Sequence, residues 1–320
     1  MRPAADVLSR LALSRGTLDR AAHRRTDPDL VSRLLADPAT RVAVIAGDRM
    51  ELVTDPTSTT GFGLALRPPQ AEDVDRFAVF LGEEAAGAGR TAYLAVLGDR
   101  DGAHEAPETS GPSPEGWHTL RMAGLFLGDR DAGIFTTILA LVNWHGAHPF
   151  CARCGAPTQP ALAGWLRRCE REGSEHYPRT DPAVIMAVVD GADRMLLGRS
   201  PQWPRGRFSV LAGFVEPGES FEAAVAREVH EEVGIAVSDV TYLGNQPWPF
   251  PSSGMIGFRA RALETELTLD PAEIAEARWV TRAGYLDALR SEEMHTPSGI
   301  SIAQRIIEHW LGQTVTDALS

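Results

Sequence analysis

The sequence predicts an α/β protein made of three parts, and three observations support this prediction. Short apolar runs separated by Gly, Asp and Pro clusters fill residues 41–128, which is the pattern of strands and turns. Three cysteines then lie close together, at positions 151, 154 and 169. Beyond them, strand-like runs flank one glutamate-rich helical segment. The predicted order is a mostly β N-terminal part, a small cysteine-rich element and a C-terminal α/β part.

The composition of the 320-residue chain is that of a soluble globular protein. No run of about 18 apolar residues occurs, so we predict no membrane contact. The net charge of −12 argues against unspecific binding to nucleic acid, so any RNA contact would need a local basic patch. The arginine-rich first 25 residues include Asp6 and Asp19 and lack an apolar core. We therefore expect a native first segment and a cytoplasmic protein.

Each predicted element has a local reason. Alternating or continuous apolar runs predict strands, and apolar spacing of three and four residues predicts helices. The predicted strands are RVAVIAG (41–47), FAVFLG (77–82), TAYLAVLG (91–98), the two halves of 181–199 around a turn, and the two ends of 240–263 around a Pro-rich loop. Helices are predicted over residues 132–148 and 300–313, besides the glutamate-rich segment.

The glutamate-rich segment, GFVEPGESFEAAVAREVHEEVGI (213–235), carries its own start and stop signals. Ser220 can cap the first turn of a helix through FEAAVAREVHEEV. Gly234 can end that helix in the left-handed conformation that glycine tolerates. The sequence therefore predicts one helix between these two residues.

Three carboxylates converge on one face of this helix, because Glu228, Glu231 and Glu232 lie at i, i+3 and i+4. Like charges at this spacing repel by a few tenths of a kcal/mol per pair, and Arg227 is the nearest basic partner, four residues before Glu231. A solvated charged helix is the alternative. The crowding favours a site for a hard divalent cation such as Mg²⁺, which binds carboxylate oxygens and bridges them to phosphates.

These residues resemble a known family. Gly213, Glu219 and the run REVHEEVGI (227–235) are similar to an unbroken Nudix box. The resemblance implies an α/β/α sandwich with a mixed sheet, and hydrolysis of a nucleoside diphosphate linked to another moiety. It implies two or more catalytic Mg²⁺ or Mn²⁺ ions, with Arg227 orienting the carboxylates and Glu232 as our choice of base. The metal-binding residues that it implies are Ala212, Glu228, Glu231, Glu232 and Glu273.

The loop NQPWPFPSS (245–253) narrows the substrate. Its three prolines stiffen the backbone, so Trp248 and Phe250 point in fixed directions beside the Gln246 amide. This arrangement suits a flat heteroaromatic ring, and a packed turn is the equal alternative. The loop resembles the SQPWPFPxS signature of the NudC-like NADH pyrophosphatases, with Asn245 in place of Ser.

That second resemblance implies further site residues and a partner. Tyr177 is similar to a residue that reaches the neighbouring subunit's site, which implies a homodimer. Phe214 and Trp248 resemble the residues near the nicotinamide. The full set of implied substrate-binding residues is Phe214, Gln246, Trp248, Ser253, Met255, Tyr177, Ala303 and Arg121.

The cysteine-rich element resembles the zinc ribbon that precedes the Nudix domain in the same branch. Cys151, Cys154 and Cys169 match three of its four zinc ligands, and Glu172 stands where the fourth cysteine would be. Glu172 or His176 could complete a tetrahedral site, and a degenerate ribbon without metal is the alternative. Five arginines in this element could contact a phosphate chain or balance its glutamates: 153, 167, 168, 171 and 179.

We therefore predict three domains: a mostly β, degenerate Nudix-like domain (1–147), a zinc ribbon (148–180) and a catalytic Nudix domain (181–320). The predicted reaction is metal-dependent hydrolysis of NAD(H) to NMN(H) and AMP. The same chemistry predicts removal of the NAD cap from RNA, giving NMN and 5′-monophosphate RNA. Two alternatives stay open: another Nudix specificity, such as ADP-ribose or coenzyme A, and a non-enzymatic ribbon protein that binds nucleic acid or a partner.

Overall fold

The computed structural model describes residues 8, 11–87, 89–98 and 116–319. Their contacts divide the chain into two compact units. The N-terminal unit comprises residues 15–180 and, from much later in the chain, residues 248–252. The C-terminal unit comprises the described residues up to 14, residues 181–247 and those from 253 onward. The cysteine-rich element thus groups with the N-terminal unit, and the division into three domains stays a prediction.

The N-terminal unit is strand-rich, as predicted. Its main strands are β1 (Arg41–Ala46), β2 (Arg49–Thr54), β3 (Phe62–Leu64), β4 (Ala78–Ala86), β5 (Gly89–Leu97) and β6 (Gly116–Thr119). They form one mixed sheet in the order β3-β2-β1-β5-β4, with β6 paired to β2. Strands β1 and β5 are parallel, and the other neighbours with a determined register are antiparallel.

Short helices lie before, between and after these strands, and one long helix follows them. The α-helices are α1 (Leu30–Ala36), α2 (Leu120–Ala123) and α3 (Asp129–Ala147), and the 3-10 helices are Ala22–Thr26, Ala71–Asp75 and Leu162–Gly164. Helix α3 contains the predicted helix 132–148 almost entirely, and its apolar side chains, such as Phe135 and Leu139, are buried. None of the described helices is long and apolar enough to cross a membrane.

The cysteine-rich element forms a small separate sheet within the N-terminal unit. Its strands are β7 (Thr158–Ala161), β8 (Leu166–Cys169) and β9 (Glu175–His176), in the order β7-β8-β9 and antiparallel throughout. A sheet of three strands with two to four residues each has little apolar surface to bury.

The C-terminal unit is an α/β/α sandwich, which confirms the predicted fold class. Its strands are β10 (Asp181–Val189), β11 (Met195–Arg199), β12 (Leu211–Phe214), β13 (Val237–Trp248), β14 (Ser253–Ala262) and β15 (Glu276–Val280). The sheet order is β13-β14-β10-β11-β15, with β12 paired to β10. Its helices are α4 (Phe221–Val233), α5 (Arg282–Arg290), α6 (Ile302–Leu311) and α7 (Val315–Leu319).

The central strand β10 shows how the layers arise. Val184, Met186 and Val188 pack in the hydrophobic cluster that contains the apolar side of α4. The alternate residues, such as Ile185 and Ala187, pack in the cluster that contains α6. Because side chains alternate along a strand, a continuous apolar run is buried on both faces.

The two sheets share most of their strand order. If the strands are numbered within each unit, both sheets contain the path fourth, fifth, first, second, sixth. In both, the first strand is antiparallel to the second and parallel to the fifth. The segment between the third and fourth strands differs: it holds the 13-residue helix α4 in the C-terminal unit and the five-residue 3-10 helix Ala71–Asp75 in the N-terminal unit.

Candidate active site and metal centres

Helix α4 begins and ends where the local signals predict. Ser220 Oγ accepts a hydrogen bond from the Ala223 amide at 3.2 Å, which caps the first turn. Gly234 ends the helix with a φ of 75°, and a Cβ at this position would lie 2.8 Å from the Thr268 side chain. Glycine is therefore required here both by conformation and by space.

One face of α4 is buried, and two carboxylates are buried along with it. Its buried apolar residues are Ala224, Val225, Val229 and Val233. Glu228 and Glu232 adjoin this stripe and are only 8% and 6% exposed. Gly213 on β12 provides the space, because a Cβ there would lie 1.9 Å from the carboxyl carbon of Glu228. The glycine that opens the sequence pattern thus exists to admit a buried carboxylate.

The third carboxylate comes from a distant part of the chain. The segment before β15 is hydrogen-bonded to the end of α4: the Asp270 amide donates to the Glu232 carbonyl at 3.1 Å. The Glu273 amide in turn donates to the Asp270 carbonyl at 3.2 Å. As a result, one ligand oxygen each from Glu228, Glu232 and Glu273 lies within 4.8 Å of the others.

The electrostatics of this group favour a cation. Burial, together with the charges of Glu228 and Glu273, raises the pKa of Glu232 to about 8. Burial also raises the pKa of Glu228, although Arg227 opposes this effect. Among the described residues, none donates a hydrogen bond to the buried Oε2 of Glu232. Three converging carboxylates with an unsatisfied buried oxygen form the donor set that a hard divalent cation prefers.

Arg227 organises the carboxylates around the metal-binding group. Its guanidinium donates to Glu219 at 2.7 and 2.9 Å, to Glu228 at 2.9 Å and to the Phe214 carbonyl at 2.9 Å. The bond from Arg227 lowers the pKa of Glu219 to about 2, and the same bond raises the pKa of Arg227. Arg227 therefore ties α4 to the end of β12 and holds Glu228 in one orientation.

Glu231 differs from the other two helix carboxylates. Its side chain is 57% exposed and accepts a hydrogen bond from Arg227 at 2.8 Å. It does not belong to the group of three glutamates found among the described residues. From the sequence we expected all three helix carboxylates to converge. Glu228 and Glu232 do so in this arrangement. The metal-binding role of Glu231 stays a prediction.

The substrate-binding residues expected in the C-terminal unit occupy different environments. Phe214, at the end of β12, is 61% exposed, which is unusual for a large apolar side chain. Gln246 is 1% exposed, and its Nε2 donates to the Ile300 carbonyl at 2.9 Å. Ala303, on α6, is buried in the core cluster against which Met255 also packs.

From its place in the loop, Gln246 was expected to offer an open amide group. The structure shows a buried amide instead. Its Nε2 is already committed to Ile300, and its Oε1 is buried without a hydrogen-bond donor among the described residues. Ser253 is half-buried at the start of β14, and Ala212 is exposed on β12. Ala212 directly precedes Gly213, the glycine that packs against Glu228, so the backbone of Ala212 lies near this carboxylate.

In the N-terminal unit, the loop 248–252 forms an aromatic cluster with Arg121. The rings of Trp248 and Phe250 meet edge to face, with their centres 4.8 Å apart. The Arg121 guanidinium carbon lies 5.0 Å from the Trp248 ring centre and 3.8 Å from that of Phe250. Cation–π contact of this kind fixes both partners. Sequence reasoning gave Arg121 only a weak substrate role and missed this contact.

The cysteine-rich element brings four potential ligands together. Ligand atoms of Cys151, Cys154, Cys169 and Glu172 all lie within 4.8 Å of one another. Glu172 Oε1 is 3.4 Å from Cys151 Sγ, whereas His176 Nε2 contacts Ser174 Oγ at 3.3 Å and is not part of the group. Between the two residues expected to compete for the fourth position, the geometry favours Glu172.

Two equivalent turns carry these ligands. The amide of Gly155 donates to the Cys151 carbonyl at 2.9 Å, and the amide of Gly173 donates to the Cys169 carbonyl at 3.1 Å. Both glycines have a positive φ, 72° and 69°. Glu172 therefore occupies in the second turn the place that Cys154 occupies in the first. The glycine after each pair is the sequence signal for this equivalence.

Ser174 is a residue of this site that sequence reasoning missed. Its hydroxyl lies 2.8 Å from Glu172 Oε1 and 3.4 Å from Cys151 Sγ. The hydrogen bond from Ser174 is the main reason that the pKa of Cys151 falls to about 6. A thiolate is the form of cysteine that binds metal, so Ser174 favours the metal-binding state. A lone serine after a glycine carries no pattern that would have marked it.

The arginines of this element are largely engaged within it. Arg168 pairs with Glu175 at 2.8 Å, and the Tyr177 hydroxyl donates to the same carboxylate at 2.7 Å. Arg167 donates to Thr158 and to Nδ1 of the buried His145, so it supports the local fold. Tyr177 itself is 60% exposed. Arg167 therefore has a structural role, whereas Arg168 balances a glutamate of the element and has a side chain that is 54% exposed.

An α/β/α sandwich whose glycine-bounded helix gathers buried glutamates at one point is the structural definition of a Nudix hydrolase. Family models agree: the NUDIX domain matches residues 179–297, and the NADH pyrophosphatase zinc ribbon domain matches residues 147–177.

Similarity extends over nearly the whole chain. The NAD-capped RNA hydrolases NudC of Mycobacterium bovis and Mycobacterium tuberculosis are each 40% identical over 319 residues, covering 93% of this chain and 94% of theirs. The human NAD-capped RNA hydrolase NUDT12 is 42% identical over 207 residues, covering 61% of this chain and 45% of its own. The chain therefore belongs to the NudC family of zinc-ribbon Nudix hydrolases.

Glu232 should make the stability of the metal-free protein fall as pH rises. Its pKa is about 8 in the folded state and near 4.5 when unfolded, so between these values the folded state binds more protons. Stability is therefore greatest below pH 4.5 for this group and is lost as pH rises through 8. Glu232→Gln, which has no proton to lose, should flatten this slope and stabilise the metal-free protein at pH 8 by roughly 2 to 4 kcal/mol.

Denaturant unfolding in a chelator at pH 5, 6.5 and 8 measures this effect. Glu231→Gln is the matched control, because it removes a neighbouring carboxylate that is more than half exposed and bound to Arg227. Equal pH slopes for wild type and Glu232→Gln would contradict the account of a buried, uncompensated carboxylate.

Proposed function

We propose that this chain hydrolyses the diphosphate of NAD(H) to NMN(H) and AMP, and removes the NAD cap from RNA to give NMN and 5′-monophosphate RNA. One observation carries the proposal. Two glutamates of the Nudix helix, Glu228 and Glu232, converge with Glu273 in a chain that is similar, over 93% of its length, to proteins named NAD-capped RNA hydrolase. In the reaction, the oxygen of water bonds to one phosphorus, the bond from that phosphorus to the bridging oxygen breaks, and the water loses a proton.

The residues of the C-terminal unit fit catalytic divalent cations. The proposed ligands are Glu228, Glu231, Glu232, Glu273 and the carbonyl of Ala212. Support comes from the oxygen-only donor set and from the buried Glu232 oxygen that lacks a hydrogen-bond donor among the described residues. Two or more bound Mg²⁺ or Mn²⁺ ions would neutralise the diphosphate and lower the pKa of a water molecule.

The protein's own side chains then have distinct tasks. Arg227 keeps Glu219 and Glu228 in place, so the carboxylates need little reorganisation during the reaction. Glu232 is the proposed base, because a carboxylate has two oxygens, so that one can hold a cation while the other accepts a proton from water. Glu219 is less suited to this task, since both of its oxygens accept hydrogen bonds from Arg227.

Substrate selection rests on the aromatic residues. Phe214 presents an exposed ring at the end of β12, directly after the glycine that contacts Glu228, which suits stacking on nicotinamide. Trp248 is proposed to contribute to the same recognition. Gln246, Ser253, Met255, Ala303, Arg121 and Tyr177 remain proposed substrate-binding residues, of which Gln246 and Ala303 would act through buried positions.

A structural Zn²⁺ is proposed for the cysteine-rich element, held by Cys151, Cys154, Cys169 and Glu172. The support is the convergence of four ligand atoms on two equivalent glycine-ended turns. We also propose a homodimer and a cytoplasmic location. The exposed Tyr177 is consistent with contact to a second copy, and light scattering of the purified protein measures the assembly state.

The N-terminal unit is proposed to be a degenerate copy of the Nudix fold. Support comes from the shared path of five strands, with one parallel pair at the same place in both sheets. The short 3-10 helix Ala71–Asp75 stands, in strand order, where α4 stands in the other sheet, so this segment does not form a long helix with carboxylates on one face.

Phe214→Ala should weaken nicotinamide recognition alone. Loss of one aromatic stacking contact is worth about 1 to 2 kcal/mol, so KM for NADH should rise about tenfold while hydrolysis of ADP-ribose is unchanged. Products are measured with Mg²⁺ and with Mn²⁺, offering NADH, NAD, ADP-ribose and coenzyme A to each protein. Leu263→Ala, a similarly exposed apolar residue of the same unit, is the control.

Other outcomes separate the alternatives. If the wild type hydrolyses ADP-ribose or coenzyme A but not NAD(H), the proposed nicotinamide specificity is wrong and the chain has another Nudix activity. No turnover of any substrate would favour the non-enzymatic binding protein. Glu232→Gln is expected to abolish turnover while the protein remains folded.

Arg168→Ala should affect capped RNA more than free NAD. RNA adds phosphates whose bound counterions are released, so KM for NAD-capped RNA should rise steeply with salt, and the variant should reduce that slope by about 1 on a log–log plot. Arg290→Ala is a matched control, since both arginine side chains are 54% exposed and paired with one carboxylate. Equal effects of Arg168→Ala on capped RNA and on free NAD would refute RNA contact by this residue.

Glu172→Ala should weaken zinc retention, whereas Glu172→Cys should strengthen it. Loss of one of four ligands is expected to raise the rate of zinc release to a chromogenic chelator by at least about tenfold. His176→Ala is the control, because its ring contacts Ser174 instead of the ligand group. Zinc content is measured on the same samples by elemental analysis. If Glu172→Ala retains zinc normally and His176→Ala loses it, then His176 is the fourth ligand and Glu172 is not.

A further inference from the structure

The loop 248–252 has an anchor outside the residues considered so far. Strand β14 and all of β13 except its last residue, Trp248, belong to the C-terminal unit, but the five loop residues group with the N-terminal unit. Asn143, on helix α3 of that unit, lies against them. Its Nδ2 donates hydrogen bonds to the Pro249 carbonyl at 3.0 Å and to the Pro251 carbonyl at 3.2 Å.

The chemistry of the loop explains why such an anchor is needed. Two of its five residues are prolines, which have no backbone N–H to donate. The Phe250 amide turns inward and donates to the Trp248 carbonyl at 2.7 Å. The carbonyls of Pro249 and Pro251 flank Phe250 and accept from a single donor group. A side-chain amide nitrogen carries two hydrogens, so one asparagine can satisfy both carbonyls at once.

Asn143 and Arg121 hold the loop through different contacts. Arg121 covers the faces of Trp248 and Phe250, whereas Asn143 fixes the backbone on either side of Phe250. Asn143 is half-buried on α3, whose neighbouring residues Leu139 and Trp144 are buried in the N-terminal unit. The loop backbone is therefore held by a residue of a helix that packs into the core of this unit.

We infer that Asn143 is a positioning residue for nicotinamide recognition: it sets the loop conformation in which Trp248 meets the base, without touching the substrate itself. The inference rests on the proposed function, in which Trp248 contributes to the nicotinamide site. It also gives the N-terminal unit a task in substrate selection, since a helix of that unit determines the geometry of a specificity loop.

Asn143→Leu tests this inference, because leucine keeps the size of asparagine and removes both hydrogen-bond donors. KM for NADH should rise about tenfold, as expected for the loss of two hydrogen bonds, with kcat within about twofold of the wild type. KM for ADP-ribose, which has no nicotinamide, should not change. Asn143→Gln keeps the amide donor and should lose less than Asn143→Leu.

The control and a second readout separate positioning from general damage. Thr137→Ala lies on the same helix and is also half-buried, but it lines a cavity with Leu18 and Arg130. It should leave both KM values unchanged. Binding of NADH is measured by calorimetry in the Glu232→Gln background, where turnover is absent, and Asn143→Leu should weaken this binding by the same factor. Thermal unfolding of each variant reports whether the fold is intact.

The outcomes are distinguishable from a failure of the proposed function. If the wild type does not hydrolyse NADH, the proposed function is wrong whatever Asn143 does. If the wild type hydrolyses NADH but Asn143→Leu leaves its KM unchanged, or raises KM for NADH and ADP-ribose equally, the inference is wrong. A rise confined to NADH, partly reversed in Asn143→Gln, supports it.

Discussion

The burial of two glutamates on one face of α4 is the constraint on which the site depends. Glu228 and Glu232 leave water because they adjoin the apolar stripe that joins the helix to the sheet. A buried carboxylate without a counter-charge is costly, and it responds by keeping its proton, as the raised pKa of Glu232 indicates. The surrounding residues either relieve this cost or leave it for a cation to relieve. Stability and activity therefore conflict at this point of the structure.

The cost of burial is relieved more for Glu228 than for Glu232, and this difference bears on function. Glu228 has Arg227 beside it and a glycine opposite, and Arg227 opposes the rise in pKa that burial causes. None of the described residues donates to the buried Oε2 of Glu232, and the charges of Glu228 and Glu273 act against its ionisation. A site in which every carboxylate was paired with arginine would be more stable and would have no place for a metal ion. The unpaired oxygen is consistent with the active-site strain that natural proteins retain where they function.

Local signals in the sequence predicted the parts of this arrangement that local physics determines. Ser220 and Gly234 fix α4 within the segment itself, so its bounds followed from capping chemistry. Glu273 is 41 residues beyond Glu232, and no spacing rule places it there; the hydrogen bond from Asp270 to α4 does. Its assignment from sequence came from family resemblance alone. Gln246 shows the opposite case, because its burial under Ile300 depends on the packing of α6 and could not be read from a polar loop.

The two sheets provide a comparison that separates a structural carboxylate from a functional one. In the N-terminal unit, the segment equivalent in order to α4 contains Asp73, which is fully buried. Arg67 donates to both of its oxygens, at 2.6 and 2.7 Å, and the Gln70 amide donates to one of them at 2.8 Å. These bonds hold the pKa of Asp73 below its usual value, with the Arg67 bond as the main cause.

Asp73 is thus ionised, paired and satisfied, whereas Glu232 is buried and unsatisfied. A bidentate arginine pair occupies both oxygens of Asp73, so this carboxylate stabilises the N-terminal sheet and is a poor metal ligand. The same strand order therefore supports two uses of a buried acid, and the partner of the acid determines which one. On this argument the buried acid of the N-terminal sheet is structural, and the part of this unit that we infer to matter for recognition is the loop around Trp248, which Asn143 and Arg121 contact.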